Sequence, residues 1–112
     1  MKKNLFMAIF ILIVAVSCSK SSNVKEIALG GIFDRSGATK EIGSGYADGV
    51  EDYIRYVNEN GGINGKPLKF YAKDCEYKIS AAYSWYEELK QKNVLAIIGW
   101  GTGDTEALSP KI

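Results

Sequence analysis

The sequence predicts an α/β fold built on an open parallel sheet whose first strand lies between the second and third. Between residues 24 and 112, short apolar runs alternate with stretches of helical period, and such alternation implies parallel strands joined by right-handed crossovers. Near the end, the apolar run Ala96-Ile97-Ile98 breaks into alternate glycines, Gly99, Gly101 and Gly103, and then into Asp104-Thr105-Glu106. A strand that feeds a glycine-rich loop into a helix start presents backbone N–H groups to a ligand, and the helix dipole favours an anion there.

Each element follows from its local pattern. Val24 to Phe33 is apolar with β-branched members and ends in the turn cluster Asp34-Arg35-Ser36-Gly37, which predicts strand β1. A loop of small polar residues and glycines is expected up to Ser44. From Tyr46 to Glu59 the period changes: Ala47, Val50, Ile54 and Val57 recur at spacings of three and four, predicting amphipathic helix α1. Asn60-Gly61-Gly62 ends it with residues that tolerate positive φ, and Ile63-Asn64-Gly65-Lys66-Pro67 forms a second turn.

Leu68, Phe70 and Ala72 then alternate with Lys69, Tyr71 and Lys73, predicting strand β2 over Leu68 to Asp74. Ile79, Ala82, Tyr83, Tyr86 and Leu89 return to helical spacing as α2, with Ser80 as an early cap and Asn93 as its close. Val94 to Ile98, continuously apolar, reads as strand β3 buried on both faces. Helix α3 is expected from Thr105. Right-handed connections give sheet order 2-1-3 with α1 and α2 on opposite faces. The loops after β1 and β3, Asp34 to Ser44 and Gly99 to Asp104, then flank the topological switch point, where open α/β sheets bind ligands.

The first residues read as an export leader. Lys2 and Lys3 precede an apolar run from Leu5 to Val16, shorter than the ~20 residues a membrane-spanning helix needs. Ala15-Val16-Ser17-Cys18 resembles a bacterial lipobox, in which the cysteine is lipidated. The expected organisation is a signal peptide over residues 1–17, a lipid-anchored polar tether over 18–23, and an incomplete α/β lobe over 24–112. An uncleaved anchor with an incidental Cys18 is the plainer alternative. Three strands bury little surface and leave both sheet edges open, so a longer protein is expected.

Composition narrows the function classes. The chain has 14 Lys and Arg against 13 Asp and Glu, and setting aside Lys2 and Lys3 turns its charge from +1 to −1. No basic stripe remains for nucleic acid. Histidine is absent, which removes the commonest general base and the commonest metal ligand. Cys75 has neither an activating histidine nor, with Cys18 lipidated, an internal disulfide partner, and reads as a small semi-buried hydrophobe. The reading calls for no catalytic residue, cofactor or metal.

The glycine patterns are not a nucleotide fingerprint. In Gly99-Trp100-Gly101-Thr102-Gly103-Asp104 the third glycine would have to fall at Asp104, and Gly43-Ser44-Gly45-Tyr46-Ala47-Asp48-Gly49 is one residue too long. The candidate ligand-binding residues are Thr102, Gly103, Gly101, Trp100, Ile42, Tyr77 and Asp104. Thr102 offers a hydroxyl and Gly103 an unobstructed N–H for a carboxylate. Trp100 and Ile42 suit an apolar ligand body or the core. Tyr77, just past β2, suits a hinge contact or a ligand. Asp104 either caps the helix at Thr105 or pairs with a ligand ammonium.

The run Asp48-Gly49-Val50, followed by Tyr56-Val57-Asn58-Glu59-Asn60-Gly61-Gly62-Ile63-Asn64-Gly65-Lys66-Pro67-Leu68, resembles the type I periplasmic binding proteins of the leucine/isoleucine/valine-binding kind. The Ser36-Gly37 turn, Asp74 at the end of β2 and Ala96-Ile97-Ile98-Gly99 fit the same pattern. The resemblance covers about residues 24 to 112 and implies the N-terminal part of lobe one of a two-lobed receptor. Such a receptor closes on a small solute and delivers it to the membrane permease of an ABC importer. It further implies that Thr102 and Gly103 hold a ligand carboxylate and that Ile42 lines the side-chain pocket. The chain departs from the family in Trp100, where proline is common, and in Gly103 and Asp104, where a serine run is usual. A sensory receptor domain of the same fold and an exported Rossmann-like enzyme are the alternative functions.

Overall fold

The computed structural model describes residues 25–112; the leader, the Cys18 lipobox, the tether and the first residue of the expected β1 lie outside them. Element order is β1 (Ile27–Phe33), α1 (Lys40–Glu59), β2 (Leu68–Asp74), α2 (Ile79–Gln91), β3 (Ala96–Ile98) and α3 (Thr102–Leu108), followed by a short 3₁₀ turn, Ser109–Lys111. The three strands form one parallel sheet in the order β2-β1-β3, as the alternation of elements predicts. Leu29 stands opposite Phe70 and Ala96, and Gly31 opposite Ala72 and Ile98.

Strand alternation assigns the two faces. Phe33 lies edge-on to Tyr46 of α1 at 5.7 Å and near Phe70 at 6.2 Å. On the opposite face Ile32 joins Cys75, Ala82, Tyr86, Leu89 and Leu108 in the core beneath α2 and α3. Gly30 and Gly31 leave room for these two layers. A β-carbon on Gly30 would come within 2.8 Å of Leu89, and one on Gly31 within 2.5 Å of Phe33 and Phe70.

The turn after α1 has the backbone its residues favour. Gly61, Gly62, Asn64 and Gly65 all have positive φ, where a missing or short polar side chain is tolerated. The Asn58 side chain then spans the turn, accepting from the Leu68 N–H and donating to the Leu68 carbonyl. It pins the end of α1 to the start of β2.

Several expected boundaries move. β1 begins at Ile27, after Lys25 and Glu26, which are outside the strand. α1 begins at Lys40, six residues before the expected Tyr46, so the loop after β1 is only Asp34 to Thr39 and Ile42, Gly43 and Ser44 are helical. Ser80 is not the cap of α2: Lys78 holds that position without a side-chain cap bond. In α2, Ile79 and Tyr83 are exposed, while Ala82, Tyr86 and Leu89 are buried. β3 is three residues long and not buried on both faces; Leu95, just before it, is 78% exposed. Among the described residues β3 pairs only with β1, which leaves its other side uncovered. α3 begins at Thr102, so Thr102, Gly103 and Asp104 form its first turn and the loop shortens to Gly99 to Gly101.

Candidate functional site

The loops that leave the C-terminal ends of the three strands are tied to one another by polar groups, of which Asp34 is fully buried. Asp34, which directly follows β1 and has 0% exposure, accepts hydrogen bonds from the N–H of Gly37 (2.5 Å), the N–H of Thr39 (2.6 Å) and the hydroxyl of Thr39 (2.8 Å). The spacing resembles an Asx-type turn extended by one further acceptor contact. Thr39 in turn accepts from the indole N–H of Trp100 at 2.7 Å, across 61 residues of sequence. The Trp100 ring lies 5.2 Å from that of Tyr46. Thus the loop after β3 is fastened to the loop after β1 and to the first turns of α1.

Asp74 at the end of β2 makes the second tie. It accepts from the N–H of Arg35 (3.0 Å), the hydroxyl of Ser36 (2.6 Å) and the N–H of Glu76 (2.9 Å). Arg35 extends the network by pairing with Asp48 and Glu51 of α1 at 2.6 and 2.7 Å. Gly37 is required here by close approach, because a β-carbon would fall 2.1 Å from the carbonyl oxygen of Glu76.

These contacts govern the acid response. Burial pushes the Asp34 carboxyl up, but the bonds from Thr39 and Gly37 outweigh it and hold the group below its ordinary value. Asp74 follows the same balance, with burial opposed chiefly by Ser36 and Arg35. A carboxyl depressed on folding contributes stability above its unfolded value, about 3.9 for Asp, and that contribution is lost as pH falls through the folded value. Thermal melts from pH 7 downward are therefore expected to hold their midpoint to about pH 5 and to fall below about pH 4. Asp74→Asn should flatten that acid-side fall; an unchanged profile would remove Asp74 from the network.

The structure brings four of the predicted site residues together along this edge. Tyr77, Gly103 and Asp104, with Ile79, line a small recess of about 110 Å³. A β-carbon on Gly101 would lie 3.0 Å from the Tyr77 ring and 2.5 Å from an Asp104 oxygen, so Gly101 belongs with them. Asp104 is buried within the first turn of α3, where it accepts from the Thr105 N–H at 3.1 Å; the N-cap is Gly101, not Asp104. Thr102, the first residue of α3, is exposed.

Trp100 is half-buried against Thr39 and Tyr46, and Ile42 lies apart from the recess in the first turn of α1. Ile42 is 68% exposed, which removes the core alternative for its side chain. Larger open grooves lie away from this edge, beside α1 over β2 (about 560 Å³) and around Leu95 and Ile112 (about 490 Å³).

The backbone at Tyr77 is unusual. Glu76 and Tyr77 both lie in the left-handed region, with φ of 53° and 55°, a conformation that costs free energy for residues with a β-carbon. The bond from the Glu76 N–H to Asp74 and that from the Lys78 N–H to the Cys75 carbonyl (2.8 Å) hold it. Cys75 behind them is fully buried, and burial pushes its thiol up. It is a packing residue, as its surroundings in the sequence imply.

Sequence reasoning did not single out Asp34, Thr39 or Gly43 as parts of this edge. The spacing Asp34-x-x-Gly37-x-Thr39 was the available signal for the first two. Gly43 has the composition of a loop residue, yet it is helical and a β-carbon there would lie 2.1 Å from the Asp34 carbonyl oxygen.

A parallel sheet whose strand-end loops converge on one edge at the point where strand order reverses is the arrangement in which open α/β sheets bind ligands. The chain belongs to the periplasmic binding protein family, whose model matches residues 26–112, and its fold is that of the type I members. Among solved structures it is similar to a fatty acid ABC transporter substrate-binding protein from Thermomonospora curvata, at 31% identity and a TM-score of 0.73, with 79% of this chain and 23% of that one covered. It is similar also to the branched-chain amino acid transporter substrate binding protein of Streptococcus pneumoniae, solved with isoleucine, at 30% identity and a TM-score of 0.70, with 74% and 24% covered. A substrate-binding periplasmic protein from Ralstonia solanacearum matches at 28% identity and a TM-score of 0.71, with 77% and 25% covered. The chain spans about a quarter of the length of these relatives. A search of curated proteins finds no match.

Proposed function

We propose that this chain forms one wall of the solute cleft of an exported, substrate-binding component of an ABC importer. The observation that carries the reading is the cross-linked edge itself: Asp34, Thr39 and Trp100 fix two strand-end loops side by side at the switch point of a periplasmic-binding-protein sheet. The proposed solute is a small carboxylate with an apolar body, a branched-chain amino acid in the first instance. The isoleucine complex of one relative supports that choice. Another relative is named for fatty acids, which makes a longer aliphatic carboxylate the second reading.

In this reading Thr102 and Gly103, in the first turn of α3, bind the carboxylate through a hydroxyl and a backbone N–H. Gly101 allows Tyr77 to approach, and Asp104 in the same recess faces the ligand's polar end. Ile42 and Trp100 cover the apolar body. The protein performs no chemistry on the solute. A second lobe closes over this edge, burying the solute and creating the shape that a permease recognises. Lipidation at Cys18 would hold the protein at the outer face of a bacterial membrane, a proposal supported by the leader sequence alone.

Thr102→Ala in the full-length protein is expected to weaken L-isoleucine binding by about 1–3 kcal/mol, the range for a hydrogen bond to a charged group that closure buries. Isothermal titration calorimetry measures it. Wild-type affinity in the variant would remove Thr102 from the site.

A further inference from the structure

We infer that Thr39 is a positioning residue: acting from Asp34, it locks the Trp100 indole and withholds its N–H from the solute, so that Trp100 selects hydrocarbon. The inference rests on the solute-binding reading above and adds a specificity determinant to it.

A threonine hydroxyl has one proton to donate and lone pairs to accept with. Thr39 uses both. Its proton goes to Asp34 at 2.8 Å, and its lone pair takes the Trp100 Nε1–H at 2.7 Å. Asp34 cannot turn away, because the N–H groups of Gly37 and Thr39 hold its two oxygens and it has no exposure to water. Its depressed pKa keeps it an acceptor, so donation runs in one direction, from the indole N–H to the Thr39 hydroxyl and from that hydroxyl to the aspartate. Gly43 admits the ring, a β-carbon there lying 3.3 Å from Nε1, and Tyr46 stands 5.2 Å from the ring on one side.

Indole has a single hydrogen-bond donor and no acceptor. With that donor spent on Thr39, Trp100 can offer a solute only its ring carbons. A hydroxyl or amide laid against it would be desolvated without a partner, which disfavours polar bodies relative to apolar ones of the same shape.

Two measurements test this. Solvent exchange of the indole N–H protons, read by NMR on tryptophan-labelled protein without ligand, is expected to show Trp100 protected. Thr39→Val should accelerate its exchange by about tenfold or more and Thr39→Ser by no more than about twofold. The indole of Trp85, which donates to the Asp74 carbonyl at 2.8 Å, should be unchanged in both variants and so reports that the fold is intact. Rapid Trp100 exchange in the wild type, or equal exchange in Thr39→Val and wild type, overturns the lock.

The second measurement compares L-valine with its near-isostere L-threonine by calorimetry on the full-length protein. Wild type and Thr39→Ser should prefer valine, and Thr39→Val, whose Trp100 N–H is released, should narrow that preference about tenfold. An unchanged preference overturns the selectivity claim. Absence of binding to either amino acid in the wild type overturns the amino-acid reading of the function instead, and the exchange experiment still decides the lock.

Discussion

Gly43→Ala is expected to destabilise the fold by about 3 kcal/mol or more, the upper range for forcing an atom into a packed site. The new methyl would stand 2.1 Å from the carbonyl oxygen of Asp34 and 3.1 Å from its carbonyl carbon. Both neighbours are main chain, so no rotamer change relieves the clash. Either the first turn of α1 lifts from the sheet or the loop after β1 moves, and each motion separates Thr39 from Asp34 or Trp100. Gly45→Ala supplies the control on the same helix, since a β-carbon there meets nothing within 4 Å. It should stabilise by roughly 0.5–1 kcal/mol, as alanine replaces glycine in a helix interior. Urea unfolding of the two variants measures the contrast, and equal stabilities would contradict the close approach of α1 to the β1 loop.

Leu89→Ala carries the second large effect, about 3–4 kcal/mol within the range for truncating a buried leucine. Leu89 is fully buried and reaches toward Gly30, and it joins Ile32, Ala82 and Tyr86 in the core. Gly30 brings no side chain that can collapse into the space left behind. The same contact makes the two positions interdependent: a β-carbon on Gly30 would lie 2.8 Å from a Leu89 methyl, so Gly30→Ala alone should destabilise. Combined with Leu89→Ala it should cost less than the sum of the two single changes. Chemical denaturation of the cycle checks this; strict additivity would separate Gly30 from Leu89.

The sheet and its order were legible because they depend on local periods. Leu68, Phe70 and Ala72 alternate, Ala47 and Ile54 recur on one helical face, and right-handed crossovers with α1 and α2 on opposite faces put β1 between β2 and β3. Helix starts were less legible, for one physical reason. Gly43 and Gly103 look like loop residues, yet both lie in first helical turns. There helix propensity yields to tertiary demands, plainly so at Gly43, where only a bare Cα fits against Asp34.

The apolar run at Val94 to Ile98 misled in the opposite direction. Its composition suits a strand covered on both sides, but Leu95 and Ala96 are exposed beside an edge that no described strand pairs. Composition records what a strand is suited to meet, and burial records what it does meet. At the candidate site, the glycine-rich loop and the place of Tyr77 just past the end of β2 were readable from chain order. The relay from Asp34 through Thr39 to Trp100 was not, because its last bond joins residues 61 apart and no local pattern encodes that pairing.

The central claim, that the C-terminal edge of this sheet contacts a small carboxylate solute, is tested most directly by mapping backbone amide shifts of the full-length protein during titration with L-isoleucine. The expected perturbations in this part of the sequence concentrate at Gly37 to Gly43, at Tyr77 and at Gly99 to Asp104. Saturable perturbations centred instead on the groove of Ile54, Asn58 and Phe70, or none at millimolar solute, would contradict it.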